Sequence, residues 1–265
     1  IMTAAKRGTI RTSGGADLVY EMHGVGKPIV FVAGLGDDRT SWAAQIPDFA
    51  RDHLVVGFDN RGIGESSAPP GPYTIEQMAD DAHDVVRHLG LDPVVAVGSS
   101  MGGAICQQWA LRHPSDIDRL VITNSWAEQD PFFAALIGHW ISLAENNQPR
   151  HLVESLLLFC HCPDYLLRRP ETIAAFLATP APRLQGIVDA GHACLKHHTL
   201  ERAHEIRHKA LIIAGEHDIL TRPELSQRLA ARMPNARYES LPTSHMVFWE
   251  MPDEFNALVR SFARE

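Results

Sequence analysis

The chain has 265 residues, of which 45% are hydrophobic and 21% charged, an ordinary globular balance with enough length to bury a large core. Its formal net charge is -8, and Lys and Arg are scattered rather than clustered, which argues against nucleic acid or an anionic membrane as partner and favours a small molecule. No apolar run approaches the roughly 20 residues a bilayer crossing needs, and the start IMTAAKRGTIRTSGG lacks the apolar middle of a signal peptide, so a soluble, cytoplasmic protein is expected. Met2 reads as the natural start, with Ile1 an appended residue. The oligomeric state, monomer or homodimer, is left open. Cys106, Cys160, Cys162 and Cys194 follow no disulfide or zinc spacing. Cys160, His161 and Cys162 adjoin one another, but neighbours on one helix point in different directions, so reduced thiols are expected there rather than a metal site.

Short, β-rich apolar runs recur at residues 28–33, 54–58, 93–97, 120–123 and 210–214, most of them followed by a helix-like stretch. Continuous apolar strands alternating with helices imply an α/β fold, a mostly parallel twisted sheet with helices on both faces, and no run shows the in-out alternation of a half-exposed antiparallel sheet. Thr74 opens TIEQMADDAHDVVRHLG with Gln77 in capping-box position, and Gly90 closes it; a second helix starts at Met101 and ends near His113 and Pro114. The rhythm then breaks. Residues 126–206 hold only helical patches such as FFAALIGHWISLAE, with Pro-bearing links, and read as a helical cap inserted into a core formed by 1–125 and 207–265. The alternation resumes with KALIIAGEHD, a helix near Pro223, the run ARYESLP and a closing helix PDEFNALVRSFARE.

Two serines stand side by side in Gly98-Ser99-Ser100-Met101-Gly102, between a strand and a helix. The frame G-x-S-x-G centres on Ser100, whereas centring on Ser99 would put Val97 and Met101 where a strained strand-to-helix turn needs glycine. Ser100 is therefore the candidate nucleophile, and the Met101 N–H at the helix start a candidate oxyanion donor. A serine needs a base, and the base an orienting acid, in the order Ser, acid, His. Asp218 follows a buried strand in IIAGEHD, with Glu216 its nearest rival, and His245 follows the last strand in LPTSHMVFWEMP. Of fifteen histidines, His113, His139, His161, His192, His197 and His198 fall in helices or the insertion and His217 precedes the acid, so none of these completes that order.

These motifs resemble those of α/β-hydrolase fold enzymes along nearly the whole chain. VAGLG, ending at Gly36, resembles the family's oxyanion loop with Ala33 where histidine is common; DNRGIGES, from Asp59 to Ser66, resembles its D-x-R-G-x-G-x-S; and Ser244 stands where glycine usually precedes the histidine. The resemblance implies Ser100 as nucleophile, His245 as base, Asp218 as its partner, and the N–H groups of Leu35 and Met101 as oxyanion hole. It implies hydrolysis of a carboxylic ester or lactone through an acyl-enzyme, with carbon-carbon, amide or carbamate cleavage by the same triad as an alternative, and a non-catalytic ligand-binding role as another. Dehalogenases and epoxide hydrolases of this fold use Asp as nucleophile and do not fit Ser100. The layout resembles 3-oxoadipate enol-lactonases and the carbamate or aminoacrylate hydrolases. Trp126, Phe132, Phe133, Trp140 and Phe159 are expected as apolar walls of the substrate site, and Arg39 or Arg183 as the cation for an acidic substrate. No metal or organic cofactor is implied.

Overall fold

The computed structural model describes residues 5–91 and 93–265. Ile1 and Met2, read from the sequence as appended residue and natural start, lie outside them. An eight-stranded sheet runs through the molecule in the order β1-β2-β4-β3-β5-β6-β7-β8. Its strands are β1 (Lys6–Arg11), β2 (Asp17–His23), β3 (Lys27–Val32), β4 (His53–Phe58), β5 (Val94–Ser99), β6 (Ile117–Thr123), β7 (Lys209–Gly215) and β8 (Ala236–Leu241). From β4 to β8 every pairing is parallel. The order reverses between β3 and β5, the switch point at which the loops after neighbouring strands diverge and leave a crevice.

The sheet is mostly parallel, as expected, with an antiparallel margin. β1 pairs antiparallel with β2, and β2 antiparallel with β4, so the sheet is mixed. β1 is largely exposed and alternates only weakly, and β2 is polar at both ends, so neither forms the continuous apolar run that marks the inner strands. β5 is buried along its whole length.

The helices are α1 (Ile46–Phe49), α2 (Ile75–Leu89), α3 (Met101–Arg112), α4 (Pro131–Glu145), α5 (Pro149–Cys160), α6 (Pro163–Arg168), α7 (Pro170–Ala178), α8 (Leu184–Lys196), α9 (Pro223–Arg232), α10 (Val247–Glu250) and α11 (Pro252–Arg264). Their ends follow local chemistry. Thr74 Oγ1 accepts the Gln77 N–H at 3.0 Å, and Gly90 closes α2 in the left-handed conformation that a Cβ disfavours. Asp130 caps α4 in the same way through the Phe133 N–H, with Pro131 at the first helical position. Between β6 and β7 there are helices and no strand; α4 packs on α8 and α5 over the crevice side of the sheet. No helix among the described residues is long and apolar enough to cross a membrane.

Candidate active site

Ser100 lies between the last residue of β5 and the first of α3, at φ 54 and ψ -118, a backbone conformation L-residues avoid. Small neighbours make the turn possible. A Cβ on Gly98 would strike the Gly102 carbonyl, and one on Gly102 the carbonyl of Val32. The turn is held by the Ser100 N–H on the Thr123 carbonyl at 3.0 Å and by Ser125 Oγ on the Ser100 carbonyl at 2.8 Å. Ser100 makes no side-chain cap bond to its helix, and Met101, at the first helical position, has no intrahelical acceptor for its N–H. Ser99 ends β5 opposite Thr123 and also borders the crevice, but its backbone is that of a strand.

Asp218 sits in the loop after β7 and His245 in the loop after β8; His245 Nδ1 and Asp218 Oδ2 are 2.7 Å apart. The carboxylate collects more donors than that: the Leu220 and Thr221 N–H groups on Oδ1 at 2.8 and 3.0 Å, and Asn124 Nδ2 and Thr221 Oγ1 on Oδ2, both at 2.8 Å. Burial alone would push its pKa up, but the facing imidazole and these hydrogen bonds hold it below the usual carboxylate range. Glu216 is exposed and takes a hydrogen bond from Ser240 Oγ, so Asp218 is the acid of this loop that meets the histidine. Asn124 and Thr221 went unread in the sequence. Asn124 carries a positive φ of 47 just after β6, an uncommon place for a residue other than glycine, and one that Asn tolerates better than most.

The loop after β3 brings Gly34 and Leu35 beside Ser100: a Cβ on Gly34 would lie 3.3 Å from that of Ser100. The DNRGIGES segment braces this loop from below. Asn60 Nδ2 donates to the Ala33 carbonyl at 3.1 Å, Arg61 is bidentate to Asp81 with both bonds at 2.7 Å, and Asp59 accepts the Arg39 N–H at 2.9 Å and its guanidinium at 2.6 Å. Arg39 also reaches Glu21 and Glu65, and is buried. Its charge is consumed by three carboxylates, and it does not border the cavity that Ser100 and His245 line. Arg183 does border it, from an exposed position, and donates to the Ser66 carbonyl at 2.7 Å.

The cavity has a volume of about 510 Å³, the size of a small-molecule site. Ser100, His245 and Leu35 line it together with Trp126 and Trp140. Phe133 is wholly buried against Trp126, Phe132 is 49% exposed, and Phe159 packs on the hydrophobic core, so these three aromatics do not form the wall expected of them. A helix turns one side only to the crevice, and consecutive or near-consecutive aromatics cannot all face it. Trp249 and Phe176 supply aromatic surface instead. Asp37, which the sequence reading did not single out, and His161, which it set aside as a base, also line the cavity. Enclosure pushes the Asp37 carboxyl up to about 6, with Asp38 adding to the effect and His245 opposing it.

All four cysteines are free. Among the described residues, His83, His113 and Asp116 have ligand atoms close enough to share an ion. They sit at the far end of α3 from Ser100, about 18 Å along a helix of that length, and already hold hydrogen bonds: His83 to Asp116 and His113 to Asp80, both at 2.7 Å. The cavity itself presents no such group.

A family model described as alpha/beta hydrolase fold matches residues 27–252. A relative from Caulobacter vibrioides, RutD, a carbamate hydrolase by provisional name, is 32% identical over 97% of this chain and 98% of its own. Among solved structures, the enol-lactonase from Burkholderia xenovorans LB400 is similar with a TM-score of 0.91 and 28% identity, covering 97% of this chain and 100% of that one. A hydrolase from Pseudomonas aeruginosa PA01 is similar with a TM-score of 0.91 and 29% identity over 98% of this chain and 99% of its own.

Proposed function

Since this chain belongs to the alpha/beta hydrolase fold family, we propose that it is a serine hydrolase that cleaves a carboxylic ester or lactone of a small, partly apolar substrate. The reading rests above all on one observation: the Asp218–His245 pair and the strained Ser100 elbow meet at a single cavity. His245 commits Nδ1 to Asp218, which leaves Nε2 to take the Ser100 proton as the hydroxyl attacks the carbonyl carbon. The ionised Asp218 stabilises the imidazolium that forms. The N–H groups of Leu35 and Met101 receive the oxyanion, His245 returns the proton to the leaving oxygen, and water activated by the same nitrogen releases the acid.

Similarity to RutD supports a second reading, cleavage of a carbamate by the same groups. Purified protein, Ser100→Ala and Ser99→Ala are compared on a panel of p-nitrophenyl esters, lactones and alkyl carbamates. Wild type and Ser99→Ala turn over and Ser100→Ala loses about 10⁴-fold or more in kcat. Preference within the panel separates ester or lactone from carbamate. Inertness of all three proteins on every substrate defeats the ester, lactone and carbamate readings and leaves carbon-carbon bond hydrolysis or a ligand-binding role.

A further inference from the structure

His161 is buried in the cavity wall with neither ring nitrogen hydrogen-bonded. It follows α5, and its surroundings are mostly aromatic: Phe176 meets the ring edge-on at 5.6 Å, Trp249 stacks at 6.1 Å and Tyr165 tilts at 6.0 Å. The nearest carboxylate oxygen, on Glu250, is 3.9 Å from Nδ1, beyond hydrogen-bond reach. That carboxylate is occupied elsewhere, accepting the Cys162 and Ser244 N–H groups at 2.8 and 3.0 Å. Burial, aided by the charge of His245, pushes the imidazole down to about 4, so it is neutral in the physiological range and offers one donor and one acceptor. A buried polar side chain with no partner is destabilising, and the fold gives this one no compensating bond. The side chain borders the same cavity as Ser100, where a ligand can supply what the protein does not.

We propose that His161 is a specificity residue that hydrogen-bonds a polar oxygen on the substrate's acyl side, so that the enzyme selects acyl groups carrying an ether, hydroxyl, amide or carbamate oxygen over alkyl groups of equal size. This rests on the serine-hydrolase reading for its site and goes beyond it in naming the substrate class. Trp126, Ile137, Trp140, Val153 and Leu156 give the cavity apolar wall that accepts the alkyl parts. The preference arises because an alkyl chain in this position would leave the imidazole unpaired in the complex, whereas an oxygen satisfies it.

The test uses two isosteric esters, p-nitrophenyl butyrate and p-nitrophenyl methoxyacetate, which differ by one CH₂ replaced with oxygen. The kcat/KM ratio of methoxyacetate to butyrate is measured for wild type, His161→Phe and His161→Asn, so that the intrinsic reactivity of the esters cancels between proteins. His161→Phe lowers the ratio about three- to ten-fold, and His161→Asn, which retains a donor, recovers part of it. An unchanged ratio, or equal loss on both esters, means that the ring only packs, and overturns the proposal. Should wild type hydrolyse neither ester, the ester reading fails separately, and a binding measurement decides His161. Methyl carbamate is then titrated into Ser100→Ala protein with labelled histidine: movement of the His161 ring signals supports the contact, and unmoved signals overturn it.

Discussion

Asp37 shows at the scale of one residue how the site is held against the preference of its parts. Enclosed beside His245, its carboxyl stays protonated up to about 6, whereas in the unfolded chain it ionises near its ordinary value of 3.8. Between those values the folded chain holds a proton that the unfolded chain has released, so this group makes stability fall as pH rises through that window and leaves it lower above. Asp37→Asn is therefore expected to stabilise the protein at pH 7.5 relative to its effect at pH 4 by about 1–2 kcal/mol, the shift being discounted for partial access to the cavity. Urea unfolding at the two pH values checks it, and a pH-independent difference would refute it. Asp218 is the opposite case, a carboxylate kept charged by the hydrogen bonds of Asn124, Thr221 and His245. The sequence marked Asp218 because it directly follows a strand, but Asn124 lies 94 residues away, and Thr221, in the same loop, is a short polar side chain whose partner only the folded turn reveals. Arg39 is unavailable as a cation for the cavity because its carboxylate partners, Glu21 on β2 and Asp59 and Glu65 in the DNRGIGES segment, reach it from two places distant in the chain.

At the scale of elements, the end of α5 is fastened to the loop that carries His245. The Met246 N–H donates to the Cys160 carbonyl at 3.2 Å, and Glu250, from α10, takes the Cys162 N–H on one oxygen and the Ser244 N–H on the other. Burial raises the Glu250 pKa and those two N–H groups oppose the rise. Glu250→Ala strands both donors, at a cost of about 2 kcal/mol, which corresponds to about 4–8 °C in Tm for a chain of this size. On the proposed mechanism it also lowers kcat/KM, since Ser244 precedes His245. An unaltered melting temperature and an unaltered rate would show that the strap is idle. Elements with strong local signals were legible: α2 from Thr74 and Gly90, the inner strands from their apolar runs, and the Ser100 elbow from its glycines. β1 and β2 were not, although the turn between them in TSGG offered a hairpin signal. Their stability comes from pairing at the sheet edge more than from their own composition.

At the scale of the molecule, the helical region between β6 and β7 is joined to the sheet by buried polar contacts. Gln107 on α3 donates to the Trp126 carbonyl at 2.9 Å and accepts the hydroxyl of Thr199, whose oxygen lies 3.2 Å from His197 Nε2. Burial, reinforced by His198, pushes His197 down to about 3. Below about pH 6.5 the unfolded chain takes up a proton that the fold refuses, and each further unit costs about 1.4 kcal/mol until the folded value is reached. His197→Asn removes that cost, so its stability relative to wild type improves by about that amount between pH 7.5 and 5.5. Chemical unfolding at both pH values tests this, and parallel behaviour of the two proteins would contradict it.

By itself the sequence determined the α/β class, the order of the inner strands along the chain, and Ser100, Asp218 and His245 as candidates. Those features are written locally, in glycines that permit an elbow and in strand ends that deliver side chains to one edge. The tertiary structure decided which side chains face the cavity and which are consumed by partners. It placed His161 and Asp37 in the cavity wall, and it turned Phe133 and Arg39 away from it. Burial and pairing depend on groups that the chain brings together only after folding, so no local pattern around a residue can settle them.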